Sequence, residues 1–173
     1  MNAVTRPRTA PVWLIWLIMS VFLFLSACAT TPNRNKRPNK TPQNVSVGAG
    51  PNRALAVYAM KFLGTPYKYG GGSPNEGFDC SGLVQYSAKK SLNINLPRRS
   101  ADQVNYGSSM NLNQVQAGDL LFFNTDGQPY SHVGIYVGQT YFIHAPSSGG
   151  DVRIEDYSKT YWAQRFSSAR RVK

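Results

Sequence analysis

Three side chains carry the chemistry that this sequence suggests. Cys80 lies in the run Phe78-Asp79-Cys80-Ser81-Gly82, and the whole chain holds only two histidines, His132 and His144. A cysteine attacks as its thiolate, needs an imidazole to take its proton, and that imidazole needs a polar group to orient it. Asp79 is a good N-cap for a helix running from about Cys80 to Lys90. Unpaired N–H groups and the helix dipole favour an anion at that end, so a lowered thiol pKa is expected. The Cys80 backbone N–H is a candidate oxyanion donor. Both histidines fall in strand-like runs on either side of a turn near Gly138 or Gln139. A hairpin whose paired residue numbers add to 276 or 278 puts both rings on one face; 277 splits them across the sheet unless a bulge intervenes. The catalytic reading therefore predicts an even register or a bulge, with His132 as the base and His144 orienting it.

The surrounding pattern predicts what positions these groups. Asn52 is expected to cap a first helix through about Leu63, with Leu55, Tyr58, Ala59 and Phe62 on one face and Gly64 as its stop. Tyr67 to Gly72 reads as an aromatic, glycine-rich loop that permits close backbone approach to a ligand. Within the Cys80 helix, Leu83, Val84, Ser87 and Ala88 are expected to face inward. Ser100 is the candidate cap of a short third helix around Asp102 to Tyr106. Beyond it, Leu120–Phe123, Val133–Val137, Tyr141–His144 and Val152–Glu155 alternate and break like strands. Helices followed by strands predict an α+β domain, its N-terminal helices packed on a C-terminal antiparallel sheet.

The N-terminal part has a different character. The chain has 173 residues and a net charge of +11, yet no acidic residue precedes Glu76. Arg6 and Arg8 precede an apolar run from Val12 to Leu25, shorter than the ~20 residues that span a bilayer. This is the architecture of a signal peptide over residues 1–27. Leu25-Ser26-Ala27-Cys28 resembles the bacterial lipobox, which implies cleavage before Cys28 and acylation of its thiol. Ala29 after the cysteine resembles the pattern sorted to the outer membrane in Gram-negative bacteria. Residues 28–50, rich in Pro, Asn, Thr and basic residues, read as a disordered basic tether, and residues 51–173 as the folded domain. With Cys28 acylated, Cys80 has no disulfide partner. No basic helix or stripe with interleaved aromatics stands out, so nucleic acid is not an expected partner.

The motifs match a known group. Gly64-Thr-Pro-Tyr-Lys-Tyr-Gly-Gly71, the Asp-Cys-Ser-Gly run, Leu96-Pro-Arg98, Ala117-Gly-Asp-Leu-Leu-Phe-Phe123, His132-Val-Gly-Ile-Tyr136, Phe142-Ile-His-Ala145 and Ala169-Arg-Arg-Val172 occur in order. Together they resemble the NlpC-type papain-like cysteine peptidases of bacterial cell walls. The resemblance implies a papain-like fold with Cys80 as nucleophile, His132 as base and His144 as third polar residue. It also implies Tyr69 as the loop tyrosine near the nucleophile, with Asp79 and Ser81 at positions that contact substrate in some members. The implied reaction is hydrolysis of peptide bonds in peptidoglycan stem peptides or cross-links, at a membrane anchored through Cys28 and facing the periplasm, with no cofactor and no metal. Three other readings fit parts of the pattern: a zinc site built from Cys80, His132 and His144, a non-catalytic wall-binding scaffold, and amidase or acyl-transfer chemistry on the same thiolate.

Overall fold

The computed structural model describes residues 45–173. The expected signal segment, the expected acylation site at Cys28 and residues 28–44 of the expected tether lie outside the described residues. Two α-helices of unequal length, two one-turn helices and a six-stranded antiparallel sheet make up the domain. Helix α1 (Arg53–Ala59) continues as a 3₁₀ turn, Met60–Phe62. The single helix expected through Leu63 therefore changes pitch at Met60. Asn52 occupies the N-cap position without a side-chain cap bond; its Nδ2 instead donates to the Val172 carbonyl at 2.8 Å, tying the two ends of the domain together. The short strands β1 (Gly72–Ser73) and β2 (Gly77–Phe78) form a hairpin that leads into α2 (Cys80–Leu92). Leu83, Val84, Ser87 and Ala88 are buried as expected. Asn93 ends α2 in the left-handed conformation, φ 58°. Ser100 is the first residue of α3 (Ser100–Gln103), not its cap; that place is taken by Arg99, so the turn begins and ends earlier than predicted.

The sheet comprises β3 (Ser108–Met110), β4 (Leu120–Phe123), β5 (His132–Gly138), β6 (Tyr141–His144), β7 (Arg153–Asp156) and β8 (Phe166–Arg171), in the order β3-β8-β4-β5-β6-β7. A one-turn helix α4 (Thr160–Ala163) precedes β8. Alternation along β4 and β5 divides the core in two. Leu120, Phe122, Val133, Ile135 and Val137 pack with the helices. Leu121, Phe123, Tyr136 and Phe142 pack on the other face with Trp162 and Ala169. Covering both faces explains why every residue of β5 is buried. Each large apolar side chain removed from water here stabilises the fold by about 1.5–3 kcal/mol. Buried Asp119 accepts two hydrogen bonds from Arg171 at 2.8 and 2.7 Å, giving the C-terminal Arg-Arg-Val run a structural role.

Residues 45–50 pack on this domain, although the sequence assigns them to the tether. Val45 and Val47 lie against the helix-side core. Gly48 N–H donates to Val137 O at 2.7 Å, and Ala117 N–H donates to Ala49 O at 3.1 Å. Two half-buried valines and two backbone bonds together contribute about 2–4 kcal/mol. A fragment beginning at residue 51 is therefore expected to unfold roughly 10 °C below one beginning at residue 45 in differential scanning calorimetry. Equal midpoints would place the segment outside the cooperative unit.

Candidate active site

The sequence Asp-Cys-Ser-Gly builds a helix start. Asp79 is in an extended conformation and its Oδ1 accepts from the Gly82 N–H at 2.7 Å, so α2 begins at Cys80. Glycine is required at 82 because a Cβ there would collide with the Gly71 carbonyl oxygen. That oxygen also accepts from Asp79 N–H at 3.1 Å and from Arg98 Nη2 at 3.2 Å. The close backbone approach expected of the glycine-rich loop is thus made to the head of α2 itself. Arg98 locks this corner: it donates to both Asp79 oxygens, at 2.9 and 2.6 Å, and to Ser81 Oγ at 3.0 Å. Ser81 Oγ donates to Asp79 Oδ1 at 3.3 Å. Asp79 and Ser81 are thereby engaged inside the fold.

Of the two loop tyrosines, Tyr69 is 89% exposed. Tyr67 is half-buried, pinned by its bridge to Phe78 and its N–H bond to Gly150 O at 2.7 Å. Burial raises the pKa of its hydroxyl, and so do the charges of the nearby Cys80 and Asp79 side chains. Sequence reasoning placed Tyr67 in the glycine-rich loop without assigning its side chain a role. Its signal was position: Tyr67 is bridged to the residue that precedes Asp79-Cys80.

Cys80 is the free thiol among the described residues. Burial pushes its pKa up; the Val133 N–H and the N–H groups at the head of α2 pull it down but do not prevail. The expected low thiol pKa is therefore not found, because desolvation outweighs the helix end. The Val133 contact carries a second meaning, since it sets the sulfur at the start of β5, one residue along the chain from His132.

The two histidines meet as the even-register reading requires. Ile135 pairs with Ile143 and Tyr136 with Phe142, so paired numbers add to 278, and a bulge follows before Gly138. In this register the rings stand diagonally on one face. His132 is 2% exposed and His144 0%. His132 Nε2 and His144 Nδ1 lie 2.8 Å apart. These two nitrogens face each other, not a shared metal, and no group of three or more His, Cys, Asp or Glu is arranged to hold a metal ion among the described residues. Trp162 packs against both rings, with centroids 5.6 and 5.0 Å away, and excludes water from them. Trp162 and Glu155, which sits behind His144, were not singled out by sequence reasoning.

Burial drives the His132 pKa well below its ordinary value near 6.5, and the neighbouring His144 drives it further down. Both directions favour the neutral form, of the Cys80 thiol and of the His132 imidazole, near neutral pH. A base with a lowered pKa stays deprotonated as pH falls, so the acid limb of kcat/KM is expected at a midpoint below pH 6.5, measured where circular dichroism shows the fold intact. An acid limb centred at pH 7 or above would contradict this protonation state.

Residues 64–171 match the model of the NlpC/P60 family. A "Probable endopeptidase" of Haemophilus influenzae is 38% identical over 161 residues, covering 91% of this chain and 96% of that protein. The murein DD-endopeptidase MepH of Escherichia coli is 40% identical over 116 residues, covering 65% of this chain; the match spans only 43% of MepH. The crystal structure of an NLP/P60-family protein similar to lipoprotein, from Staphylococcus aureus, superposes with a TM-score of 0.63 at 33% identity, over 76% of this chain and 45% of that one. The motif order, the α+β layout with helices ahead of an antiparallel sheet, and these similarities lead to one assignment: the chain belongs to the NlpC/P60 family.

Proposed function

We propose that this protein is a cysteine endopeptidase that hydrolyses peptide bonds in peptidoglycan stem peptides or their cross-links, tethered through an acylated Cys28 to the periplasmic side of the outer membrane. The observation that carries the reading is the 2.8 Å His132–His144 contact, made by the strand whose Val133 N–H meets the Cys80 sulfur. The relatives named as endopeptidases support the substrate class, and the Leu-Ser-Ala-Cys28 run supports the anchor.

The geometry suggests the following steps. With Nε2 of His132 engaged by His144, Nδ1 is the nitrogen left to take the Cys80 proton. The sulfur then attacks the scissile carbonyl carbon, and the carbonyl electrons move onto oxygen. The Cys80 backbone N–H and the Tyr67 hydroxyl stabilise that oxyanion. Collapse breaks the C–N bond, His132 returns its proton to the leaving amine, and a thioester remains on Cys80. Water, deprotonated by His132, attacks the thioester and releases the new carboxylic acid and the thiol. Net, one peptide bond and one water give one acid and one amine. Tyr69, at the exposed rim, is assigned to substrate contact. Asp79 and Ser81 shape the floor of that subsite through Arg98.

Purified Gram-negative peptidoglycan incubated with the full-length protein is expected to yield new fragments by liquid chromatography and mass spectrometry. Loss of cross-linked dimers would identify the cross-link, and shortened stems would identify a stem bond. Unchanged peptidoglycan after incubation with folded, reduced protein would overturn the reading.

A further inference from the structure

The His132–His144 pair continues into a third strand. Paired numbering between β6 and β7 sets His144 opposite Arg153 and Phe142 opposite Glu155. Glu155 thus stands diagonal to His144 on the same face, repeating across β6–β7 the step that joins His132 to His144 across β5–β6. Its Oε1 lies 3.8 Å from His144 Nε2, a buried ring nitrogen that has no hydrogen-bond partner among the described residues. The carboxylate itself is held firmly: Arg153 Nε donates to Oε1 at 2.6 Å, and the Trp162 indole N–H donates to Oε2 at 2.5 Å.

We propose that Glu155 is a positioning residue for the thiol–imidazole pair, its fixed carboxylate holding His144 as the Nε2–H tautomer. The assignment rests on the proposed roles of Cys80 and His132 and follows by proton counting. His132 Nδ1 must be bare to take the thiol proton, so the hydrogen of His132 is on Nε2 and donates to His144 Nδ1. His144 then carries its own hydrogen on Nε2, facing Glu155. When His132 becomes an imidazolium, positive charge develops along a line that ends at this carboxylate, and the 3.8 Å gap is short enough to close into a hydrogen bond. Glu155 is suited to the task because its carboxyl stays ionised. Burial pushes its pKa up, but the His144 ring, Trp162 and Arg153 outweigh burial and hold it at about 2. Among the described residues, Arg153 on β7 and Lys159 and Tyr161 before and on α4 are the other charged or titratable groups lining the space beside His132, and Cys80 on α2 meets the adjoining Val133 N–H. Arg153 is paired to Glu155, which leaves the carboxylate as the anion nearest His144.

The test uses the full-length protein, its Glu155→Gln and Glu155→Asp variants, and two readouts. One is the rate of Cys80 alkylation by iodoacetamide as a function of pH, read on the Cys80 peptide by mass spectrometry. The other is fragment release from peptidoglycan. Glu155→Gln is expected to raise the apparent alkylation pKa of Cys80 and to lower kcat roughly 10- to 100-fold with little change in KM, and Glu155→Asp to restore part of both. If Glu155→Gln does not fold, Trp162→Phe, which loosens the carboxylate without removing it, should give a smaller shift of the same sign. An alkylation profile unchanged in every folded variant overturns the assignment, even where activity falls in step with melting temperature. The first readout needs no peptidoglycan. A shifted profile without fragments from wild type would support the Glu155 role and sink the substrate reading; fragments without a shift would do the reverse.

Discussion

Replacing Cys80 with alanine is expected to lower kcat/KM on purified muropeptides by about 10⁵- to 10⁶-fold, because in the proposed reaction the nucleophile and its base act as one unit. The fold should survive. The thiol is only partly enclosed, α2 is capped by Asp79 and not by Cys80, and the Asp79–Arg98–Ser81 network does not involve the sulfur. Melting within a few degrees of wild type, together with lost turnover, identifies a chemical role. Retained turnover in a folded Cys80→Ala variant would move the nucleophile elsewhere.

The second large effect is expected at His144. Replacing it with alanine removes the acceptor for His132 Nε2 and frees the His132 ring to turn or to adopt the other tautomer. Loss of a third group of this kind costs about 10⁴-fold in kcat with the geometry otherwise intact. Alanine also leaves a buried ring nitrogen unpaired, which costs about 1–3 kcal/mol of stability. His144→Asn separates the two contributions, since its side-chain carbonyl can accept from His132. It is expected to recover at least tenfold of the activity lost in the alanine variant, measured as kcat on the same muropeptides. Equal losses in His144→Ala and His144→Asn, with equal melting points, would mean that His144 does not act by orienting His132.

Local signals made much of this site legible in the sequence. A capping residue, a small-residue run and a following helical pattern placed Cys80 at a helix start. Period-two alternation and the turn at Gly138–Gln139 placed both histidines on one hairpin, with the register restricted to the choices that join them. What stayed hidden depends on more than one element at a time. Glu155 reaches His144 only through the β6–β7 register, and Trp162 reaches the ring pair only once the chain after β7 folds back over the sheet. Tyr67 and Tyr69 are equivalent by composition, and only the assembled fold gives them different surroundings: Tyr67 is bridged to Phe78, whereas Tyr69 is exposed. The thiol pKa is a balance in which burial prevails over the helix end, and burial is a property of the assembled domain. The boundary at residue 51 moved upstream for a related reason: Val45 and Val47 sit among polar neighbours with no periodicity, and their contacts are made at long range.

The most direct test titrates the Cys80 thiol against activity. Full-length protein is alkylated with increasing iodoacetamide. The modified fraction of the Cys80 peptide is read by mass spectrometry, and fragment release from peptidoglycan is assayed on the same samples. If Cys80 is the nucleophile, activity falls in proportion to the modified fraction and vanishes when modification is complete. Hydrolysis that persists in fully modified protein would contradict it.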